Sequence, residues 1–145
     1  MNKRSTKIRV SGFSLIELLI VVAILGIIAA IAVPSYGKYM TETRRTDATA
    51  TLMEVAGEQF RYYSENNQYT DDMSDLGYGS AVTAPSKEGL YTISLVSASA
   101  SSFVITATPV AGAAQANDTE CTSFTLSSSN QKGATGSISA LDCWG

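Results

Sequence analysis

The sequence predicts an α+β chain in which a long N-terminal helix, half membrane-spanning and half amphipathic, packs on a small antiparallel sheet. Three observations carry this. Leu18 to Gly37 is a run of twenty residues without a charge, preceded by a single acid, Glu17. Tyr36 to Ser64 keeps good helix formers but places Leu52, Val55, Phe60 and Tyr63 near helical spacing, with Arg44, Arg45, Glu54, Glu58 and Arg61 elsewhere. Residues 90–126 then alternate apolar and polar side chains as half-buried strands do.

At 1.5 Å per residue the uncharged run makes a helix about 30 Å long, the thickness of a bilayer core. Lys3, Arg4, Lys7 and Arg9 precede it with no acid among them, which predicts a cytoplasmic N-terminus and an exported remainder. Pro34 lacks the amide that would bond the Ala30 carbonyl, and Gly26 weakens the same stretch, so a kink or local unwinding is expected there. One helix from about Ser14 to Ser64 would be roughly 75 Å long. Asn66-Asn67-Gln68 ends it.

Tyr69 to Pro85 reads as a loop, held down by Tyr69, Met73, Leu76 and Tyr78. Its Asp71, Asp72 and Asp75 miss the spacing of a calcium loop and lack a closing glutamate, so no metal is assigned. Strands follow at Leu90–Val96, Phe103–Thr108 and Thr122–Leu126, then a polar loop over Ser127–Gly136 and a tail at Ile138–Trp144. Phe60, Tyr62, Tyr63 and Tyr69 read as core packing rather than a ligand box. The two cysteines, Cys121 and Cys143, are too few for structural zinc and lack redox spacing; in an exported domain they read as a disulfide closing a loop of about 23 residues.

Past the basic head, six Lys and Arg face thirteen Asp and Glu, a formal charge of −7. Only Arg44 and Arg45 are adjacent, whereas Lys87 and Lys132 are isolated, which argues against nucleic-acid binding. There is no His, and Ser14 and Ser127–Ser129 lack a base at recognisable spacing, so the reading is not an enzyme, and no cofactor is assigned.

An ordinary secretory signal would explain the basic head and apolar run, and Ala30-Ile31-Ala32 even offers a cleavage pattern. The run is long for a signal core, and neither a signal nor a plain anchor explains Glu17. A carboxylate at membrane depth costs about 2.5 kcal/mol or more and requires a partner.

Gly12-Phe13-Ser14-Leu15-Ile16-Glu17-Leu18-Leu19-Ile20-Val21-Val22 resembles the leader junction of a type IV prepilin. The resemblance implies the type IV pilin fold and three parts: a leader, residues 1–12; a long helix, residues 13–66, with its membrane segment at about 15–36; and a head, residues 67–145, with antiparallel strands and a C-terminal disulfide loop. It implies cleavage between Gly12 and Phe13 by a prepilin peptidase, and N-methylation of Phe13 by its methyltransferase activity. It further implies that Glu17 pairs with the N-terminal amine of a neighbouring subunit and that the Gly26 to Pro34 stretch can melt in the filament. The implied partners are other pilins in a helical filament, the inner-membrane assembly platform, and membrane lipid before assembly, with no nucleic acid. The implied location is the bacterial inner membrane, then the extracellular pilus. More loosely, Tyr91-Thr92-Ile93, Phe103 to Pro109, Asp118 to Cys121, Gly133 and Cys143-Trp144 resemble the PilE-type minor pilins. A major pilin, a type II secretion pseudopilin and a DNA-uptake pilin are the alternatives.

Overall fold

The computed structural model describes residues 12–145. The basic residues Lys3, Arg4, Lys7 and Arg9, and the leader as far as residue 11, lie outside the described residues. Helix α1 runs over Leu15–Asn66, and the chain divides into two compact units at Lys38 and Tyr39.

In the first unit α1 is Leu, Ile, Val and Ala on every face, and none of its apolar window is buried. The helix continues through Gly26 and Pro34, so no unwinding is built into the free chain. Proline removes one N–H bond, while strong helix formers on both sides keep theirs. The Ser35 hydroxyl donates to the Ile31 carbonyl at 3.0 Å, occupying a carbonyl beside the gap.

In the second unit α1 carries the head and stops where expected. Asn67 takes a left-handed conformation, φ 53°, while its N–H still reaches the Tyr63 carbonyl at 2.8 Å. A single 3-10 turn, Met73–Leu76, interrupts the following loop and buries Met73 and Leu76. Its carboxylates have local work: Asp72 accepts from the Ser74 N–H at 2.8 Å, and Asp75 accepts from the Thr70 hydroxyl at 2.7 Å.

Five strands, rather than three, form one antiparallel sheet in sequential order: β1 (Thr83–Pro85), β2 (Tyr91–Ala98), β3 (Phe103–Pro109), β4 (Ser123–Ser127) and β5 (Lys132–Thr135). The two strands missing from the sequence reading are the edges. β1 has three residues and ends on Pro85, and β5 is Lys-Gly-Ala-Thr, with no apolar alternation to signal it. β5 forms because Asn130, at φ 59°, turns the chain back on β4, with the Ser127 N–H donating to the Gln131 carbonyl at 3.1 Å. The tail is a short helix, α2 (Ala140–Trp144), capped by Ser139. A bulge at Val96 keeps Ser97 and Ala98 on their proper faces of the sheet.

The inner sheet face supplies Tyr91, Ile93, Phe103, Ile105, Ala107, Phe124 and Leu126 to a buried core shared with Ala48, Leu52, Val55 and Ala56 of α1. Phe60 and Tyr63 stay partly exposed and join Tyr69 and Phe103 in an edge-packed aromatic cluster, with ring centroids 4.7–6.0 Å apart. Tyr62 lies outside this ring cluster and packs half-buried against the core.

Candidate assembly site

Four residues named from the sequence meet at the start of α1. The Ser14 backbone N–H donates to Glu17 Oε2 at 2.9 Å, and Leu18 N–H donates to the Ser14 carbonyl at 3.2 Å. This is half of a capping box, in which a helix's third residue reaches back to an N–H that would otherwise lack a partner. The spacing Ser14-x-x-Glu17 is the sequence signature of this cap, beside the reading of Glu17 as a lone charge in the apolar run. Glu17 therefore has a partner within its own chain, one that satisfies a hydrogen bond without supplying a positive charge.

Phe13 is 90 % exposed, and a side chain added at Gly12 would meet nothing within 4 Å. Among the described residues, packing places no demand for a small residue at Gly12. From Leu15 to Val33 every large apolar side chain is more than half exposed, over a window of mean hydropathy 3.0. A contiguous apolar surface of this size needs lipid or protein against it. Gly26 likewise has open space where a side chain would stand.

The head is held to its stretch of α1 by polar side chains that sequence reasoning did not find. Arg45, assigned above to the polar face, is buried: its Nε donates to Asp118 Oδ2 at 2.7 Å and its Nη2 to Asp118 Oδ1 at 2.9 Å and Glu120 Oε2 at 2.8 Å. The Asp118 hydrogen bond raises the Arg45 pKa against the opposing effect of burial, with Glu120 adding to it. Burial pushes the Asp118 carboxyl up, but the Arg45 hydrogen bond and the N–H groups of Cys121 and Glu120 outweigh it and hold the carboxyl below its ordinary value. Asp47, also buried, accepts from the Ser86 hydroxyl and from the Glu88 N–H at 3.0 Å, fixing the β1–β2 loop. Gln59 grips Thr70 as a strand partner would, donating to its carbonyl at 2.7 Å and accepting from its N–H at 3.2 Å. Buried Gln115 donates to Tyr91 Oη at 2.8 Å and to the Thr41 carbonyl at 3.3 Å. No periodicity announces such residues, since each partner lies far away in sequence.

Cys121 and Cys143 are joined, with Cα atoms 5.8 Å apart. The bond ties the segment before β4 to α2, and Cys121 N–H reaches Asp118 Oδ1 at 3.2 Å, so the crosslink and the Arg45 cluster share an anchor. Trp144 Nε1 donates to the Gly133 carbonyl at 2.8 Å, closing α2 onto β5.

Comparison with known proteins follows the same division of the chain. Residues 7–33 match the prokaryotic N-terminal methylation motif, and residues 34–125 match the family described as type IV minor pilin ComP, DNA uptake sequence receptor. The chain is 40 % identical over 67 residues to the type IV major pilin protein PilA of Myxococcus xanthus, a match covering 46 % of this chain and 30 % of the relative. It is 39 % identical over 98 residues to fimbrial protein EcpC of Eikenella corrodens, covering 67 % and 61 % respectively. Against the type IV wide pilus major component PilA4 of Thermus thermophilus, it is 38 % identical over 96 residues, covering 66 % and 71 %. The matched stretch thus spans less than two thirds of the first two relatives.

Proposed function

This chain belongs to the type IV pilins, and from that premise we propose that it is a processed, membrane-anchored minor pilin that enters a helical filament with other pilins. The observation that carries the reading is the junction itself: Gly12, Phe13, Ser14 and Glu17 stand at the head of an apolar helix surface that none of the described residues covers.

In this reading residues 1–12 are a leader, 13–66 the helix and 67–145 the head. A prepilin peptidase hydrolyses the Gly12–Phe13 peptide bond, leaving a carboxylate on Gly12 and a new amine on Phe13, which is then N-methylated. The open space at Gly12 supports a size limit set by the peptidase rather than by folding. Lipid covers the helix until the inner-membrane platform passes the subunit into the filament, where neighbouring helices replace it. There Glu17 exchanges the Ser14 N–H for the cationic amine of a neighbour, a stronger partner for a carboxylate out of water. Melting between Gly26 and Pro34 belongs to that packed state, after which the head faces the outside as part of an extracellular pilus.

The minor role is supported by the description of the matched family, while several relatives are named as major subunits. That family is ComP's, and the likeness to PilE-type minor pilins rests on the head motifs quoted above. It also supports a second reading, DNA uptake, against which stands the excess of thirteen acids over six cations past the basic head.

The test is the intact mass and N-terminal sequence of the protein from membranes and from sheared filaments, together with Glu17→Gln and Glu17→Ala. Methylated Phe13 as first residue in both fractions, scarce in filaments, is expected; a chain starting at Met1 or Val33 would overturn processing at this junction, and abundance would make it a major subunit. Glutamine keeps an acceptor for Ser14 N–H but loses the charge. Both variants should be cleaved yet enter filaments poorly; incorporation of Glu17→Gln at the wild-type level would reduce Glu17 to a helix cap.

A further inference from the structure

The end of the chain grips one short segment, residues 118–121, by three independent means. Cys143 of α2 is bonded to Cys121. The Ser137 N–H is shared between the Thr119 and Glu120 carbonyls, at 3.2 and 3.1 Å, and the Ile138 N–H reaches the Glu120 carbonyl at 3.4 Å. Gly136, at φ 145°, lies so close that a Cβ on it would overlap the Glu120 carbonyl oxygen. Glycine alone permits both that backbone conformation and that approach.

The gripped segment is the one that holds the helix. Asp118 Oδ1 accepts from the Glu120 N–H at 3.1 Å and the Cys121 N–H at 3.2 Å, so the backbone the tail clasps also sets the position of this carboxylate. Both Asp118 oxygens then meet Arg45, with the two side chains 2 % and 7 % exposed. Glu120, whose carbonyl takes the tail, sends its own carboxylate to Arg45 Nη2 at 2.8 Å. A shift of about 1 Å at residues 119–121 would stretch these three charge-assisted bonds beyond the range in which they hold. One turn earlier, the Asp118 N–H bonds the Gln115 carbonyl at 3.1 Å and the Gln115 amide reaches the Thr41 carbonyl, so the segment meets α1 at two successive turns.

We propose that the C-terminal tail is a redox-set clamp on α1, in which closure of the Cys121–Cys143 bond fixes the Asp118 and Glu120 carboxylates against Arg45. The bond closes by thiol–disulfide exchange with a disulfide-bearing oxidant. One cysteine thiolate attacks the oxidant's disulfide and expels one of its sulfurs. The other cysteine thiolate then displaces the second sulfur, and the oxidant leaves as a dithiol carrying the two electrons and two protons that the cysteines lose. Before closure the tail holds residues 119 and 120 by neutral hydrogen bonds, each contributing little against water. The directional hold on α1 is therefore completed only in an oxidising compartment. Cys121, Cys143, Gly136 and Ser137 are positioning residues, acting on the helix through Asp118 and Glu120. The clamp lies wholly within the unit that begins at Tyr39 and stands apart from the filament reading.

The test is a double-mutant cycle in the urea unfolding of the full chain in detergent, with wild type, Arg45→Met, Cys121→Ser/Cys143→Ser and their combination. The factor by which Arg45→Met lowers the folding equilibrium constant should be at least about tenfold smaller without the bond than with it. Equal factors would make bond and ion pair independent and overturn the proposal. Where the chain without the bond fails to fold, Gly136→Ala takes its place in the cycle with the disulfide intact, and the same shrinkage is expected. A readout that mere loss of stability does not move is the Asp118 carboxyl, titrated by NMR in the folded state. It sits below its ordinary value in wild type and should rise when the bond or Gly136 is removed. An unmoved Asp118 titration in a folded variant would also overturn the proposal.

Discussion

The two parts of α1 meet the same demand, covering an apolar helix, in opposite ways. Up to Lys38 the described part of the helix exposes every large apolar side chain it has. From Tyr39 onward it buries eight residues, of which Arg45, Asp47, Thr51 and Gln59 are polar. The lesson is that a surface proposed to exchange lipid for protein is left unspecific, whereas a surface that must hold one fold uses directional bonds. Hydrophobic contact is tolerant of register, and a bidentate guanidinium–carboxylate pair is not.

The comparison breaks most severely at Arg45. Arg45→Met leaves Asp118 buried without its cation and should cost about 3–5 kcal/mol in the urea unfolding of the head; an unchanged midpoint would mean the pair contributes nothing net. Replacing Cys121 and Cys143 together with Ser should cost about 3 kcal/mol in the same assay, from the chain entropy of the released loop, and a loss under about 1 kcal/mol would place the head's stability in its polar anchors alone. Gln59→Leu strands the Thr70 N–H and carbonyl, for about 1–3 kcal/mol; hydrogen exchange at Thr70 should speed up, and wild-type protection there would count against the clamp.

Acid probes the same cluster more gently. Because the folded Asp118 carboxyl sits below its unfolded value, near 4, its contribution is fully present above that pH and is lost as pH falls toward the folded value. Unfolding midpoints measured from about pH 6 down to pH 3 should therefore fall less steeply in Arg45→Met than in wild type, and parallel curves would remove Asp118 from the account. The smallest effect is the sharpest control: Ile24→Ala, on the exposed stretch, should change head stability by less than about 0.5 kcal/mol. A loss of more than 1 kcal/mol there would show that the first part of the helix is not independent of the fold.

Much of this was legible because it is local. The apolar run, the helix end at Asn67, the three inner strands and the Cys121–Cys143 pair each announce themselves by composition, spacing or compartment. β1 and β5 were not legible, since three residues ending in Pro85 and the stretch Lys132–Thr135 have no alternation of their own and exist by pairing with neighbours. The half capping box at Ser14 and Glu17 is also written in the sequence, as Ser-x-x-Glu spacing.

Sequence by itself determined where the chain is long and apolar enough to enter a membrane and which strands share an apolar face. Those follow from short-range periodicity and from the cost of placing charge in hydrocarbon. Only the tertiary structure decided that Arg45 belongs to the interior and that Gln59 acts as a strand partner. Each is a relation between residues distant in the chain, set by strand register and by which loop comes to rest on which turn of α1, and no local pattern encodes it.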